Sequence, residues 1–302
     1  MNELAQVRDA AVAGERAAAP ALGDFLELAK PRVTSLVVAT TAFGFYLGSR
    51  GGVDPLLLFH TLLGTTLVAS GTSAYNMYLE RDSDGKMERT RRRPLPDGRL
   101  QPVHALAFAT VLSIAGILYL ALAVNLLTSL LAICTLASYI FLYTPMKRWS
   151  PLCTLVGAIP GALPPLGGWA AATGSLSAGG WALFAILFLW QLPHSLAIAW
   201  MYRDDYARGG FRLLPVVDPG GGSTVRQIIG NALALIPVSL TPVLLGVSGT
   251  WYFYGAILLG IFLFGYCLRM ARTRSRIHAR SIVLASVFYL PALLLLMALD
   301  RS

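Results

Sequence analysis

The chain has 302 residues, of which 56% are hydrophobic and only 13% charged, about half the charged fraction of an ordinary soluble domain. This composition, with three scattered cysteines, excludes a soluble globular enzyme and a disulfide scaffold, and it reads as an all-α, polytopic membrane protein. The net charge of +9 calls for no nucleic acid as partner, because the cations lie between apolar runs, where membrane orientation and attraction to anionic lipid account for them.

Residues 1–23 are Ala-rich and of mixed charge, as expected of a flexible cytoplasmic tail ahead of one membrane domain, 24–302. They lack the apolar core and cleavage site of a signal peptide, and Glu3, Asp9 and Glu15 argue against an acid-poor organelle leader. The expected location is therefore a bacterial cell inner membrane rather than a mitochondrial one. Nine apolar runs follow, near 33–49, 56–79, 103–123, 127–145, 152–173, 180–201, 228–247, 251–270 and 281–299. Each approaches the roughly 20 residues needed to span a bilayer. They predict a bundle of about nine transmembrane helices around a central cavity. With the N-terminus in the cytoplasm, 22 of the 24 Lys and Arg residues fall inside and only Arg50 and Arg301 outside, which fixes the orientation. The cavity is then expected to open to the cytoplasmic side.

The second run ends in Asn76-Met77-Tyr78-Leu79-Glu80-Arg81-Asp82-Ser83-Asp84. On a helix Asn76, Glu80 and Asp84 share one stripe, so three oxygen ligands point the same way. Asp82 lies on a different face and joins them only if the helix unwinds at Ser83-Asp84-Gly85. Magnesium takes one or two carboxylates and fills the rest of its shell with water and substrate phosphate oxygens, which suits an open half-cage of this kind. The competing reading is a solvated helix end whose acids pair with Arg81, Lys86 and Arg89. The loop to Arg99 adds guanidinium groups for phosphate oxygens within two turns of the acids.

Tyr143-Thr144-Pro145-Met146-Lys147-Arg148 forms a smaller polar station after the fourth run. The fifth run, with Gly157, Pro160, Gly161, Pro164, Pro165, Gly167 and Gly168, is too interrupted for a plain span and predicts either close helix packing or a cavity wall. The sixth run carries Trp190-Gln191-Leu192-Pro193-His194 and leads to a second acidic station, Tyr202-Arg203-Asp204-Asp205-Tyr206-Ala207-Arg208. Both acidic stations lead from an Arg-Asp pair through further arginine to a Leu-Pro stretch. This suggests an internal duplication that sets two acidic clusters across one cavity. Tyr75, Tyr78, Trp190, Trp200 and Tyr202 serve equally as an interfacial belt or as ring faces for a cationic intermediate. Cys134, Cys153 and Cys267 are expected to pack.

The run from Asn76 to Asp84, continued by Met87-Glu88-Arg89-Thr90 and Arg93-Pro94-Leu95-Pro96-Asp97-Gly98-Arg99, resembles intramembrane prenyltransferases of the aromatic prenyltransferase superfamily. The Trp-Gln-x-Pro-His segment at 190–194 and the Arg-Thr-x-x-Arg-Pro-Leu-Pro segment at 89–96 resemble its heme-farnesylating branch, the heme O synthases. Lys30-Pro31-Arg32, Asp205-Tyr206 and Ser286-Val287-Phe288-Tyr289-Leu290 extend the likeness over about residues 24–300.

The resemblance implies transfer of a farnesyl group from farnesyl diphosphate to a vinyl group of heme B. Mg2+ is the implied cofactor, and the implied products are heme O, made by addition of water, and diphosphate. A heme-modifying enzyme or heme-copper oxidase is the implied downstream partner. Carried onto this chain, Asn76, Glu80, Asp84 and Asp205, with Asp82, would hold metal. Lys30, Arg32, Arg89, Arg93, Lys147 and Arg148 would take the diphosphate. His194 would serve the heme side, near iron or as a proton carrier. Glu80 stands where the superfamily commonly has aspartate, and Asp204 and Asp205 are adjacent where it has a spaced pair. Rival readings are a prenyltransferase for a quinone precursor or chlorin, a non-catalytic heme-handling protein, and an ion transporter. Transport sites belong near the bilayer midplane, whereas these acids fall at helix ends.

Overall fold

A computed structural model describes residues 21–49 and 51–301. The tail expectation for residues 1–20 and the place of Arg50 in the outer charge set lie outside the described residues. All nine apolar runs are helical. A short helix, α1 (Leu22–Ala29), precedes α2 (Pro31–Gly48), α3 (Pro55–Asp84), α4 (Pro102–Ala123), α5 (Leu126–Met146), α6 (Cys153–Thr173) and α7 (Ala178–Met201). Two short helices, α8 (Arg203–Arg208) and α9 (Leu214–Val217), lead to α10 (Gly222–Leu244), α11 (Thr250–Thr273) and α12 (Arg276–Leu299). Eight of these helices are long and apolar enough to cross a membrane. The other long helix, α2, has 18 residues, and Arg32, Ser35 and three threonines dilute its apolar character. Among the described residues there is no strand, only an isolated bridge between Ser248 and Arg301.

Local sequence explains where the helices begin. Asp54 caps α3, accepting from Leu56 N at 2.9 Å and Leu57 N at 3.1 Å, and Pro55 fills the first helical position, where no N–H is needed. Asn125 caps α5 through Thr128 N at 2.8 Å and ties it to α6 by donating to Ala170 O at 3.2 Å. Lys30 takes a left-handed conformation, φ 46°, to turn the chain from α1 into α2. Outward-facing Leu118, Leu122, Phe141, Leu258 and Phe288 supply the apolar wall that lipid requires.

Two halves differ in how they pack. Buried residues of α7, α10, α11 and α12 form the largest core cluster, including Leu183, Ile228, Leu263 and Tyr289. Helices α2, α3, α5 and α6 instead surround a cavity. The expectation that α6 is broken is corrected: it runs unbroken through Pro160, Pro164 and Pro165. Neighbouring helices stabilise it, since backbones meet directly. A Cβ on Gly44 would lie 2.0 Å from Pro165 O, and one on Gly168 would lie 1.9 Å from Thr41 O. Both sequence alternatives for α6 therefore hold, with one face packed on α2 and another lining the cavity. Gly157 and Gly161 do not share one interface, because Gly157 faces Tyr143 and Gly161 faces Gln191.

The segment after α9 is held by Asp218, whose Oδ2 accepts from Thr224 N at 2.8 Å and Thr224 Oγ1 at 3.1 Å. Burial alone would raise this carboxyl, but the Thr224 donors outweigh it and hold Asp218 below the usual aspartate range. A depressed folded value adds stability above the unfolded pKa of about 4, and that stability is lost as pH falls through the folded value. Asp218→Ala is expected to cost about 1 kcal/mol at neutral pH. Thermal melts in detergent at neutral pH and in acid check this, and the gap from wild type should close in acid.

Candidate active site

The final turns of α3 carry the acids. With 30 residues the helix is about 45 Å long, against a hydrocarbon core of about 30 Å, so its last nine residues reach the membrane boundary or pass it. The helix holds through Asp84, and Asn76, Glu80 and Asp84 are buried on one stripe. The same continuity corrects the inclusion of Asp82 in the metal set. Its side chain is 75% exposed and lies beside Arg81 at 3.8 Å, because the unwinding that would have turned it inward does not occur.

Each residue of the stripe meets a cation from a different segment. Lys30 Nζ donates to Asn76 Oδ1 at 2.8 Å, Lys147 Nζ to Glu80 Oε1 at 2.7 Å, and Arg93 Nη1 to Asp84 Oδ2 at 2.6 Å. Two atoms of the stripe are buried without partners, Asn76 Nδ2 and Asp84 Oδ1. A buried carboxylate oxygen in that condition costs free energy until something binds it. Among the described residues no three His, Cys, Asp or Glu side chains converge, so a cation here would draw its remaining ligands from water or substrate.

The cations are crowded as well. Burial, and then the Arg93 guanidinium, bring Lys30 down to about 7. Burial also works against charge on Lys147, but the charge attraction of Glu80, followed by that of Tyr143 and Tyr139, more than offsets it, so its pKa lies well above the ordinary lysine value. The Lys147 ammonium lies 4.3 Å from the Tyr143 ring centroid, a cation–π contact. Arg148 is exposed and donates to Ser83 Oγ at 3.3 Å. Arg32 is exposed and outside this network.

The second station meets the first through the backbone. Asp205 Oδ1 accepts from Glu88 N at 2.8 Å and Arg208 Nη2 at 2.5 Å, and its Oδ2 accepts from Arg89 N at 3.3 Å. Burial would raise Asp205, but these donors hold it below the usual range. A carboxylate has about four lone-pair sites, and three are taken here, so Asp205 clasps the loop that carries Arg89 and Arg93 and keeps one site free. Arg89 donates to Tyr206 Oη at 3.3 Å and lies over the Tyr202 ring at 5.5 Å. Met87 packs with Phe211 and Leu213 beneath the loop. Asp204 is exposed beside Arg203.

His194 is placed elsewhere. Its Nδ1 lies 2.7 Å from Ser286 Oγ on α12, and its ring stacks on Trp190 at 5.2 Å. It shares no contact with the acid stripe. Of the other aromatics, Tyr75 bonds Thr110 at 2.8 Å and Tyr78 carries Arg81 at 4.7 Å, both in packing roles.

Below the stripe lies an apolar cavity of about 200 Å³. Thr34, Ser73 and Tyr139 line its upper part, within one turn of Lys30 and Asn76 and two turns of Lys147. Sequence reasoning missed Tyr139, although a signal was present: it stands at i−4 to Tyr143 and two turns ahead of Lys147, on one helical face. No pattern in the sequence marks Thr34.

A charged rim over an apolar shaft defines a class of membrane protein that holds an amphiphile with its polar head in the rim and its hydrocarbon below. The sequence matches the UbiA prenyltransferase family over residues 37–298, and the chain belongs to that family. It is 52% identical over 287 residues to the protein named protoheme IX farnesyltransferase from Solibacter usitatus, covering 92% of this chain and 98% of that protein. A structure described as giving insight into digeranylgeranylglyceryl phosphate synthase in membranes superposes with a TM-score of 0.78 at 16% identity, covering 92% of this chain and 98% of that one. A UbiA homolog from Archaeoglobus fulgidus bound to DMAPP and Mg2+ gives 0.65 at 14% identity, covering 91% and 99%. At such identities the two structures establish the fold alone.

Proposed function

We propose that this protein transfers the farnesyl group of farnesyl diphosphate to a vinyl group of heme B, with addition of water, giving heme O and diphosphate. The observation that carries the site assignment is the stripe of Asn76, Glu80 and Asp84, each met by a cation, with Asn76 Nδ2 and Asp84 Oδ1 left unpartnered above an apolar cavity. The named relative supports heme as acceptor, and the Archaeoglobus fulgidus homolog supports a prenyl diphosphate with Mg2+.

In this reading Lys30, Arg93 and Lys147 are the inner cations facing the diphosphate, with Arg89 and Arg148 at the exposed rim. Their charge compensates the negative charge that grows on the leaving group as its bond to carbon breaks. Asn76 Nδ2 donates to a non-bridging oxygen. Asp84, through Oδ1, and Glu80 are the residues that would hold Mg2+, with Asp205 contributing at most its one free lone pair. When bound, the metal adds divalent charge against the departing diphosphate. Tyr139 presents a ring toward the developing allylic cation, and the apolar wall below keeps water from quenching it early. His194 belongs to the heme side: Ser286 engages Nδ1, which leaves Nε2 for iron or for a proton.

In this reading the protein belongs to a bacterial inner membrane with its N-terminus and acid stripe on the cytoplasmic side, an orientation that the charge asymmetry of its loops supports. Its product is passed to a heme-modifying enzyme or a heme-copper oxidase. The test is mass spectrometry of hemes extracted after incubating purified protein with heme B and farnesyl diphosphate, with Mg2+ or with a chelator. A Mg2+-dependent heme carrying farnesyl plus water is expected. Folded protein that binds heme and forms no such product would overturn the assignment.

A further inference from the structure

The cavity runs along four helices in one direction. Its upper residues are Thr34, Ser73, Tyr139 and Pro160, next to the charged rim, and its lower ones are Thr41, Thr65, Thr128 and Gly167. The separations along each helix correspond to roughly 10–16 Å at 1.5 Å per residue. An isoprene unit adds about 4–5 Å of chain at ordinary carbon–carbon bond lengths. Three units, about 12–15 Å, match this length, and four, about 16–20 Å, reach or pass its upper limit.

Gly167 stands at the lower end, and its lack of a side chain has no packing cause. A Cβ there would meet nothing within 4 Å, whereas on the same helix Gly161 is pressed by Gln191 Oε1 at 2.1 Å and Gly168 by Thr41 O at 1.9 Å. Its φ is not positive, so the backbone does not demand glycine. Glycine inside a helix is less favourable than alanine. The space it leaves belongs to the cavity.

We propose that Gly167 sets the length of the prenyl chain by keeping the floor of the shaft open to the third isoprene unit. A branched side chain at this position occupies that space and restricts the site to two units. This rests on the reading that the cavity receives the transferred prenyl group. The substrate class it assigns to the wild-type floor is a fifteen-carbon allylic diphosphate, with the ten-carbon chain fitting loosely and the twenty-carbon chain disfavoured.

The experiment compares wild type, Gly167→Ala and Gly167→Leu with geranyl, farnesyl and geranylgeranyl diphosphate, heme B and Mg2+, reading kcat/KM for each chain and Tm for each protein. For Gly167→Leu the farnesyl-to-geranyl ratio of kcat/KM is expected to fall at least about tenfold, the scale on which an apolar pocket discriminates small changes of hydrocarbon. Gly167→Ala is expected to shift the ratio the same way by less, with a Tm no lower than wild type because the space is open. An unchanged ratio in the folded leucine variant overturns the proposal, and so does a lowered Tm for the alanine variant, which would show the space to be filled by packing. If the leucine variant does not fold, an unchanged ratio in the alanine variant overturns it. Wild type that transfers none of the three chains removes the functional reading itself.

Discussion

Asp84→Asn is expected to lower kcat for farnesyl transfer by at least about 100-fold, the scale seen when one preorganised charge-stabilising group is removed, while the protein remains folded. The substitution keeps the shape of a side chain that is 1% exposed and leaves an oxygen to accept from Arg93. It removes the negative charge and turns the unpartnered Asp84 Oδ1 from a ligand for a hard cation into half of a neutral amide. Arg93, partly open to solvent, keeps water as a partner, so the structural penalty is small beside the catalytic one. Single-turnover kinetics with farnesyl diphosphate and heme B, alongside a thermal melt, check both parts. Turnover near the wild-type rate would remove Asp84 from the site.

The second large effect concerns Lys147 and Glu80, which meet at 2.7 Å and are 9% and 6% exposed. Lys147→Met leaves the Glu80 carboxylate buried without its cation. Breaking a buried pair from one side costs about 3–5 kcal/mol, whereas neutralising both partners is tolerated much better. The single variant should therefore melt well below wild type, and the double variant Glu80→Gln/Lys147→Met should recover most of the loss. On the proposed assignment of Lys147 to diphosphate and Glu80 to metal, activity should remain low in both. Recovery of melting temperature without activity is the signature expected. Recovery of both would show the pair to be structural only.

How much of this was legible in sequence depends on the range of the interaction. The nine runs became helices because length and apolar content are properties of each segment alone, and the Asn76, Glu80 and Asp84 stripe follows from helix geometry. The exclusion of Asp82 turned on whether one turn unwinds at Ser83, which the helix-breaking look of Ser-Asp-Gly suggested and the packing of the following loop prevented. The continuity of α6 was hidden for a related reason: three prolines predict a broken helix in isolation, and only contact with α2 explains why it holds. The pairing of each stripe residue with a particular cation joins residues 9, 46 and 67 positions apart, which no local pattern encodes. Asp205 was legible as an acid near the site, but its use as a clasp for the backbone of Glu88 and Arg89 was not.

The backbone contact between α2 and α6 has a consequence for how the chain is made. Helix α2 lacks the apolar character of the other eight long helices, and its neighbour arrives only after three further spans have been synthesised. Gly44 and Gly168 permit an approach that buries Thr41 of α2 against α6. Because α6 supplies one wall of the shaft, the shaft cannot be complete until α6 has been made and set beside α2.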